Sequence, residues 1–299
     1  MPVACYVIMS ITERLANLNI YTVIGLITVL IAARFILIRQ RFAHAKAVAE
    51  IAESLALAIG LVFLLIRPFL VQAFYIPSAS MVPTLRVNDR ILVNKLIYRF
   101  REPRLGDVVV FKSPKSAGHN EADYIKRVMG VPGDSVRVTA GYVLIGHIPY
   151  YHDDLRIALA PCRKEEDECS VKLQNGKIYA NGRQVGCAQV AAAMGKPGAS
   201  VRVIPGKVYV NGKPLNESYT SEDSDQPYPS ELTPKKWIGV DKDGSRVVKI
   251  PKGRLLVMGD NRNFSDDARR WGLLDRKRLE GKAMLIFWPL SRLGESFSR

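Results

Sequence analysis

Two long apolar stretches crowd the first quarter of this 299-residue chain, and they limit what the remainder can be. From Ile20 to Ile38 the single charge is Arg34, and from Ser54 to Ile76 it is Arg67. Crossing a hydrocarbon core of about 30 Å takes roughly 20 residues, so both stretches are long enough. Each arginine lies toward one end, where a long side chain can snorkel to the headgroups. Neither stretch carries the polar stripe of a half-buried helix. Two transmembrane helices are therefore expected, at about 20–38 and 54–74. Arg39, Arg41 and Lys46, flanked by Arg34, lie between them, while the N-terminal tail offers only Arg14. Positive charge stays in the cytoplasm, which puts the short loop inside and both termini outside. With no basic region before the first span and no small-residue cleavage site after it, that span reads as an anchor.

The same topology changes what the charge means. Forty-three Lys and Arg against 28 Asp and Glu give +15, a balance that suits nucleic acid, anionic lipid or an acidic partner. For a region delivered across a membrane, nucleic acid is excluded, and a basic face on anionic lipid or plain solvation remains. The four cysteines lack CxxC spacing, and His44, His119, His147 and His152 are scattered. With no GxxxxGK[ST], GxGxxG or HExxH either, no metal or cofactor is expected.

After Tyr75 the pattern turns to short runs rich in Val, Ile and aromatics: ILVNKLIY, DVVVFK, YIKRVMGV, RLLVMGD and KAMLIFW. Turn signals such as VPGD, NG, PG and DG separate them, which predicts an exported, all-β region of antiparallel strands. One motif recurs: SVRVTAGYVLIG (Ser135–Gly146), SVKLQNGKIYANG (Ser170–Gly182) and SVRVIPGKVYVNG (Ser200–Gly212). Each reads as strand, glycine turn, strand, that is, a β-hairpin written three times. The unequal offsets point to local duplication and not to a solenoid. Arg163–Glu168 and Tyr219–Pro234 read as polar and loop-like, the latter as an exposed linker.

Chemistry concentrates straight after the second span, in Ile76-Pro-Ser-Ala-Ser-Met-Val-Pro-Thr-Leu85. Two prolines and two serines make a stiff, turning segment able to hold one hydroxyl in a fixed direction. A serine needs a base to become nucleophilic. No histidine sits in a compact turn-flanked motif, but a lysine can serve once burial disfavours its ammonium form. Lys126 suits: in Tyr124-Ile-Lys-Arg-Val128, strand alternation puts Tyr124, Lys126 and Val128 on one face and Arg127 on the other.

SASMVPTL, DYIKRVMGVPGD (Asp123–Asp134) and MGDNRNFSDDARRWG (Met258–Gly272) resemble the three sequence boxes of bacterial type I signal peptidases. They stand in the family's order, behind two apolar segments, as in its Gram-negative members. The resemblance implies Ser80 as nucleophile and Lys126 as general base. It implies the Ser80 N–H and the Ser78 hydroxyl as oxyanion donors, and Ser265 as the serine that orients the lysine. Asp267 and Arg269 match a buttressing ion pair. Phe74, Ile76, Met81, Leu85, Tyr124 and Ile125 match positions lining shallow pockets for small side chains at −1 and −3. Ala268 and Phe264 replace residues that are often polar in the family. The resemblance further implies a short-loop disulfide, Cys162–Cys169, with Cys187 free.

The expected protein is thus mainly β, with two N-terminal transmembrane helices and an exported catalytic domain holding an inserted second β-domain of hairpins. Its parts are an anchor at 1–75, a catalytic core at 76–134 and 245–299, and the insertion at 135–244. It would be a cofactor-free serine endopeptidase of the bacterial inner membrane, multi-pass, with its catalytic domain on the periplasmic side. It would act as a monomer on secretory preprotein signal peptides beside membrane lipid. Leu70 to Ser80 spans at most about 35 Å, which keeps the nucleophile near the outer surface. Two rivals are a dedicated processing peptidase for one pilus or conjugation substrate and a catalytically silent, membrane-tethered binding domain. The lysine should lie among apolar groups, with no carboxylate to restore its charge.

Overall fold

The computed structural model describes residues 20–39, 44–66, 71–118, 121–160, 170–231, 233–295 and 297. His119, Cys162 and Cys169, with the disulfide expected of the latter two, lie outside the described residues, as does Arg163–Glu168. The chain forms two compact units: 1–74 with 92–100, and 75–91 with 101–299.

The first unit holds helices α1 (Ile20–Ile38) and α2 (Ala45–Gly60), the latter running into a π-helical turn at Leu61–Ile66. Both are long and apolar enough to cross a membrane, over Tyr21–Ile38 and Ala45–Leu64. The second apolar helix therefore begins nine residues before the expected Ser54, and residues 71–74 belong to a strand instead. Lys46, read as part of the loop, is helical, as is Glu53, which pairs with Arg34 of α1 at 2.9 Å. Ala45, Ala49, Ala52 and Ala56 form a buried small-residue stripe along α2. Such stripes let helix backbones approach closely.

Strands β1 (Val71–Tyr75) and β2 (Arg90–Asn94) follow, then the short helix α3 (Ile97–Phe100). ILVNKLIY was expected to be strand throughout. It breaks because Asn94 Oδ1 accepts the N–H groups of Leu96 and Ile97 at 2.9 and 3.0 Å.

In the second unit, the strands are β3 (Val108–Lys112), β4 (Asp123–Gly130), β5 (Ser135–Val138), β6 (Tyr142–Ile145), β7 (Ile148–Tyr150), β8 (Val171–Gln174), β9 (Lys177–Ala180) and β10 (Arg183–Val185). They continue with β11 (Val201–Ile204), β12 (Val208–Val210), β13 (Lys213–Pro214), β14 (Ile238–Val240), β15 (Arg246–Lys249), β16 (Arg254–Met258), β17 (Leu274–Asp275) and β18 (Leu279–Trp288). Helices α4 (His152–Leu159), α5 (Cys187–Ala193) and α6 (Ala268–Trp271) interrupt them. The order β18-β3-β4-β16-β17 forms an antiparallel sheet, with Lys126 opposite Val109 and Met258 opposite Arg127. The protein is mainly β as expected, but α4 and α5 were not foreseen. Asp154 accepts the Tyr151 N–H at the start of α4, and Gln189 Oε1 accepts the Gly186 N–H before α5. Both helices bury apolar residues (Leu155, Val190, Ala191) in a small core with Val143, Ile145, Val171, Leu173 and Ile178.

The repeats require the largest correction. Only the second is a hairpin, β8 on β9. The first and third are interlocked: β5 pairs with β12 and β6 with β11, both antiparallel. Val138 faces Val208, and Val203 faces Val143. Because 138 + 65 = 203 and 143 + 65 = 208, the two pairings are equivalent under exchange of the repeats. This pseudo-twofold crossing passes between Gly141 and Gly206, also 65 apart. A Cβ on Gly206 would lie 2.8 Å from the Gly141 nitrogen and 2.9 Å from the Thr139 oxygen, so neither backbone leaves room for a side chain.

The expected exposed linker at Tyr219–Pro234 belongs to a partly buried strap, 217–234. Glu222, Ser224, Tyr228 and Thr233 are buried within it, while Gln226, Pro227, Glu231 and Pro234 are exposed.

Candidate active site

Ser80 lies in a tight turn held from both sides. Within the turn, the Val82 N–H donates to the Ala79 carbonyl (3.1 Å) and the Leu85 N–H to the Met81 carbonyl (2.8 Å). Met81 and Leu85 are fully buried and pin the turn to the core. From the loop after β16, the Asn261 N–H donates to the Ser80 carbonyl (3.1 Å) and Asn261 Nδ2 to the Ala79 carbonyl (3.1 Å). These contacts fix the backbone that carries the hydroxyl.

Lys126 approaches from β4, with Nζ 2.8 Å from Ser80 Oγ. It is 4 % exposed, and Ser80 is 8 % exposed. Ser78, itself exposed, brings its Oγ within 3.4 Å of Ser80 Oγ. The Lys126 ammonium position lies 5.4 Å from the centroid of the Tyr124 ring. Of the remaining pocket residues, Ile76 is buried, Ile125 is half-buried, and Phe74 is half-buried on β1 in the first unit.

Burial dominates the chemistry of the lysine, lowering its pKa from 10.5 to about 8. The surroundings are not free of carboxylate, contrary to expectation. Asp267, Asp266 and Asp260 each favour the ammonium form, while Arg269 opposes it. Desolvation prevails, and two of these carboxylates, Asp260 and Asp267, are themselves paired with arginines. Asp260 takes a bidentate contact from Arg127 at 2.8 and 2.6 Å. Arg127 does leave β4 on the face opposite Lys126, but it is 1 % exposed, because both faces of the sheet are covered here. Asp267 binds Arg269 through Nε and Nη2, each at 2.9 Å, and accepts the Gly259 N–H at 3.0 Å. Burial alone would raise the Asp267 carboxyl; the guanidinium and these N–H groups hold it below the ordinary carboxylate range. Asp266 lies 3.4 Å from the Tyr124 hydroxyl.

Ser265 does not make the expected hydrogen bond to Lys126. Its Oγ is buried without a hydrogen-bond partner among the described residues. It packs instead against Gly259, where a Cβ would stand 2.2 Å from Ser265 Oγ and 2.4 Å from the Ser80 carbonyl oxygen. Gly259 is thus the point at which the nucleophile-bearing turn and the Ser265 segment meet.

The sequence reading missed Asn261, Asp260 and Arg262. All three fall inside the MGDNRNFSDDARRWG box, so the signal was present, but nothing in the box says which polar groups turn inward. Arg262 is buried, donates to the Gly259 carbonyl at 3.0 Å and pairs with Glu217 of the strap at 2.6 Å.

A buried lysine against a serine hydroxyl, beside an open oxygen donor, is equipment for acyl transfer to water. The chain matches the family model for signal peptidase, peptidase S26, over residues 48–175 and 190–288. It is 31 % identical to signal peptidase I of Leptolyngbya laminosa over 84 % of its own length and 82 % of that protein. It is 31 % identical to signal peptidase I of Aquifex aeolicus, covering 80 % of this chain and 83 % of the relative. With signal peptidase I of Pseudomonas aeruginosa the identity is 30 %, over 80 % and 73 % of the two chains. The chain belongs to the S26 signal peptidase family. It is a serine peptidase that cleaves signal peptides at a membrane.

Proposed function

We propose that Ser80 and neutral Lys126 form the catalytic pair of this peptidase. The observation that carries the assignment is the 2.8 Å approach of a buried lysine to a buried serine. As Ser80 Oγ bonds to the scissile carbonyl carbon, its proton passes to Lys126 Nζ. The Ser80 N–H and the Ser78 hydroxyl receive the oxyanion, an effect worth about 3 kcal/mol per donor. The C–N bond breaks as Lys126 protonates the leaving amine, which leaves an acyl-enzyme. A water molecule, deprotonated by the same lysine, releases it. Ser265 borders the pair, and Asp267 with Arg269 supports it. Ile76, Tyr124 and Ile125, backed by the buried Met81 and Leu85, leave shallow pockets that admit small side chains at −1 and −3.

The topology belongs to the same proposal. Both apolar helices cross the bacterial inner membrane, the short basic loop is cytoplasmic, and residues 76–299 act as a monomer on the periplasmic side, against lipid and emerging preprotein. Residues 135–244 form an inserted β-domain within the catalytic core of 76–134 and 245–299. The supporting observations are the two apolar helices and the arginine and lysine content between and beside them.

The test is cleavage of several unrelated preproteins by the detergent-solubilised full chain, each with Ala or Phe at −1. Wild type should cut all the Ala forms and lose at least about a hundredfold on Phe, while Ser80→Ala and Lys126→Ala should cut none. Cleavage of one preprotein alone would favour the dedicated processing peptidase. Turnover by Ser80→Ala would remove the nucleophile assignment.

A further inference from the structure

The strap is built into the active site from two directions. Thr220 forms an antiparallel bridge with Pro83, beside the Ser80 turn. Toward the loop after β16, Glu217 pairs with Arg262, the Asp225 N–H donates to Asn263 Oδ1 (2.9 Å), and Asn263 Nδ2 donates to the Asp223 carbonyl (3.1 Å).

All three repeats hold this strap at two consecutive residues. In the first repeat, the Gly141 N–H donates to the Ser224 carbonyl at 2.8 Å. The Asp223 N–H donates to the carbonyl of Leu173, in the second, at 2.8 Å. Gly206, in the third, packs so closely that a Cβ there would lie 2.8 Å from the Ser224 carbonyl oxygen. The interlocked crossing therefore fixes the backbone of Ser224.

The side chain of Ser224 reaches the opposite way. Its Oγ accepts from Arg269 Nη1 at 3.0 Å and donates to the Gln226 carbonyl at 2.9 Å. Because a guanidinium can only donate, the direction of both bonds is settled. Ser224 is 3 % exposed. Arg269 also contacts Asp267 and the Arg262 carbonyl, both within its own loop. Ser224 supplies a contact from outside that loop.

We propose that Ser224 is a positioning residue for peptide cleavage, holding Arg269 against Asp267 so that the charge around Lys126 stays balanced. The proposal rests on Lys126 being the base. The charged and titratable groups that act on that lysine or lie against it are Asp260, Asp266, Asp267, Arg269 and Tyr124. Removing the hydroxyl deprives the guanidinium of a buried acceptor and loosens it from Asp267. A less neutralised carboxylate and a more distant cation both favour the ammonium, so the two consequences have the same sign.

The experiment is the pH dependence of kcat and KM for the full-length, detergent-solubilised enzyme on a signal-peptide substrate. Wild type should show an acid limb near pH 8. In Ser224→Ala the limb should move up by about half to one pH unit, and kcat at pH 7 should fall about three- to tenfold with KM little changed. Ser224→Cys, similar in size but a poor acceptor, should show the same displacement and carries the test if the alanine variant does not fold. A limb that stays in place in the folded variants, or loss of folding in both, overturns the positioning role. If the wild-type profile lacks a limb near pH 8, the base assignment itself fails, which is a distinguishable outcome.

Discussion

Lys126 makes the active site costly to fold. Its pKa is about 8 in the folded protein and 10.5 when exposed, so between these values the unfolded chain binds more protons. Stability therefore rises with pH across that window, and the full cost is present below pH 8. The difference, 10.5 − 8 = 2.5, corresponds to about 3 kcal/mol. Lys126→Met should accordingly melt at a higher temperature than wild type at pH 7, with the gain shrinking toward pH 10.5. A thermal scan in detergent across that range checks it, and a gain independent of pH would contradict it. Gly259 makes a sharper prediction. A methyl group there meets the backbone oxygen of Ser80 and the side chain of Ser265, and only the latter could swing aside. Gly259→Ala should lose at least about a hundredfold in kcat, read by single-turnover cleavage, because a misplacement near 1 Å at the nucleophile costs that much. The approach of Ser80 to Lys126, 46 positions apart, was legible only through the resemblance of two short boxes. Of the carboxylates around the lysine, Asp267 was legible in the same way, as half of an expected ion pair with Arg269, whereas Asp260 and Asp266 were not. All three arrive on a loop more than 130 residues later, and no local pattern says that Asp260 turns inward.

At the scale of elements, the strands were legible and their partners were not. Alternating Val residues mark β5, β6, β11 and β12 equally well whether each repeat folds on itself or on its counterpart. What separates the alternatives is the turn. Asn175-Gly176 in the second repeat takes positive φ at both residues, 50° and 74°, which suits a tight hairpin. The first and third repeats have Ala140-Gly141 and Pro205-Gly206 at the equivalent place, and their chains continue across to the other sheet. The strap was misread for a related reason. Its serines, acids and prolines have the composition of a loop, yet partners such as Arg262 and Arg269 lie elsewhere in the sequence. A substitution at the crossing tests this description. Gly206→Ala sets a methyl group against three backbone atoms at 2.8, 2.8 and 2.9 Å. It should destabilise the second unit by about 1–3 kcal/mol in urea unfolding. A neutral outcome would mean that the crossing is looser than described.

For the whole molecule, the proposed topology makes the side of the membrane a measurable quantity. Cys187 is a free thiol and is exposed. On the proposed orientation a membrane-impermeant maleimide should label it in intact spheroplasts, and peptide mapping should place the adduct on Cys187. Labelling of that residue only after lysis would invert the orientation. The two apolar helices themselves were plain in the sequence, but the start of the second was not. Hydropathy penalises Lys46, Glu50 and Glu53, whereas helix pairing accommodates Glu53 through Arg34.

The interlocked repeats also set the order in which this chain can acquire structure. A hairpin closes within a few residues, but Val138 must wait for Val208, 70 positions downstream, before its strand has this partner. Long closures of this kind slow folding even when they add little to the final cost in free energy. Ile145 and Val201 stand opposite each other, with the Gly146 N–H bonded to the Ser200 carbonyl at 2.8 Å. The segment between them carries α4, α5 and the second repeat, whose apolar residues complete the small core with Val143 and Ile145 of β6, so this closure gathers the whole segment with it.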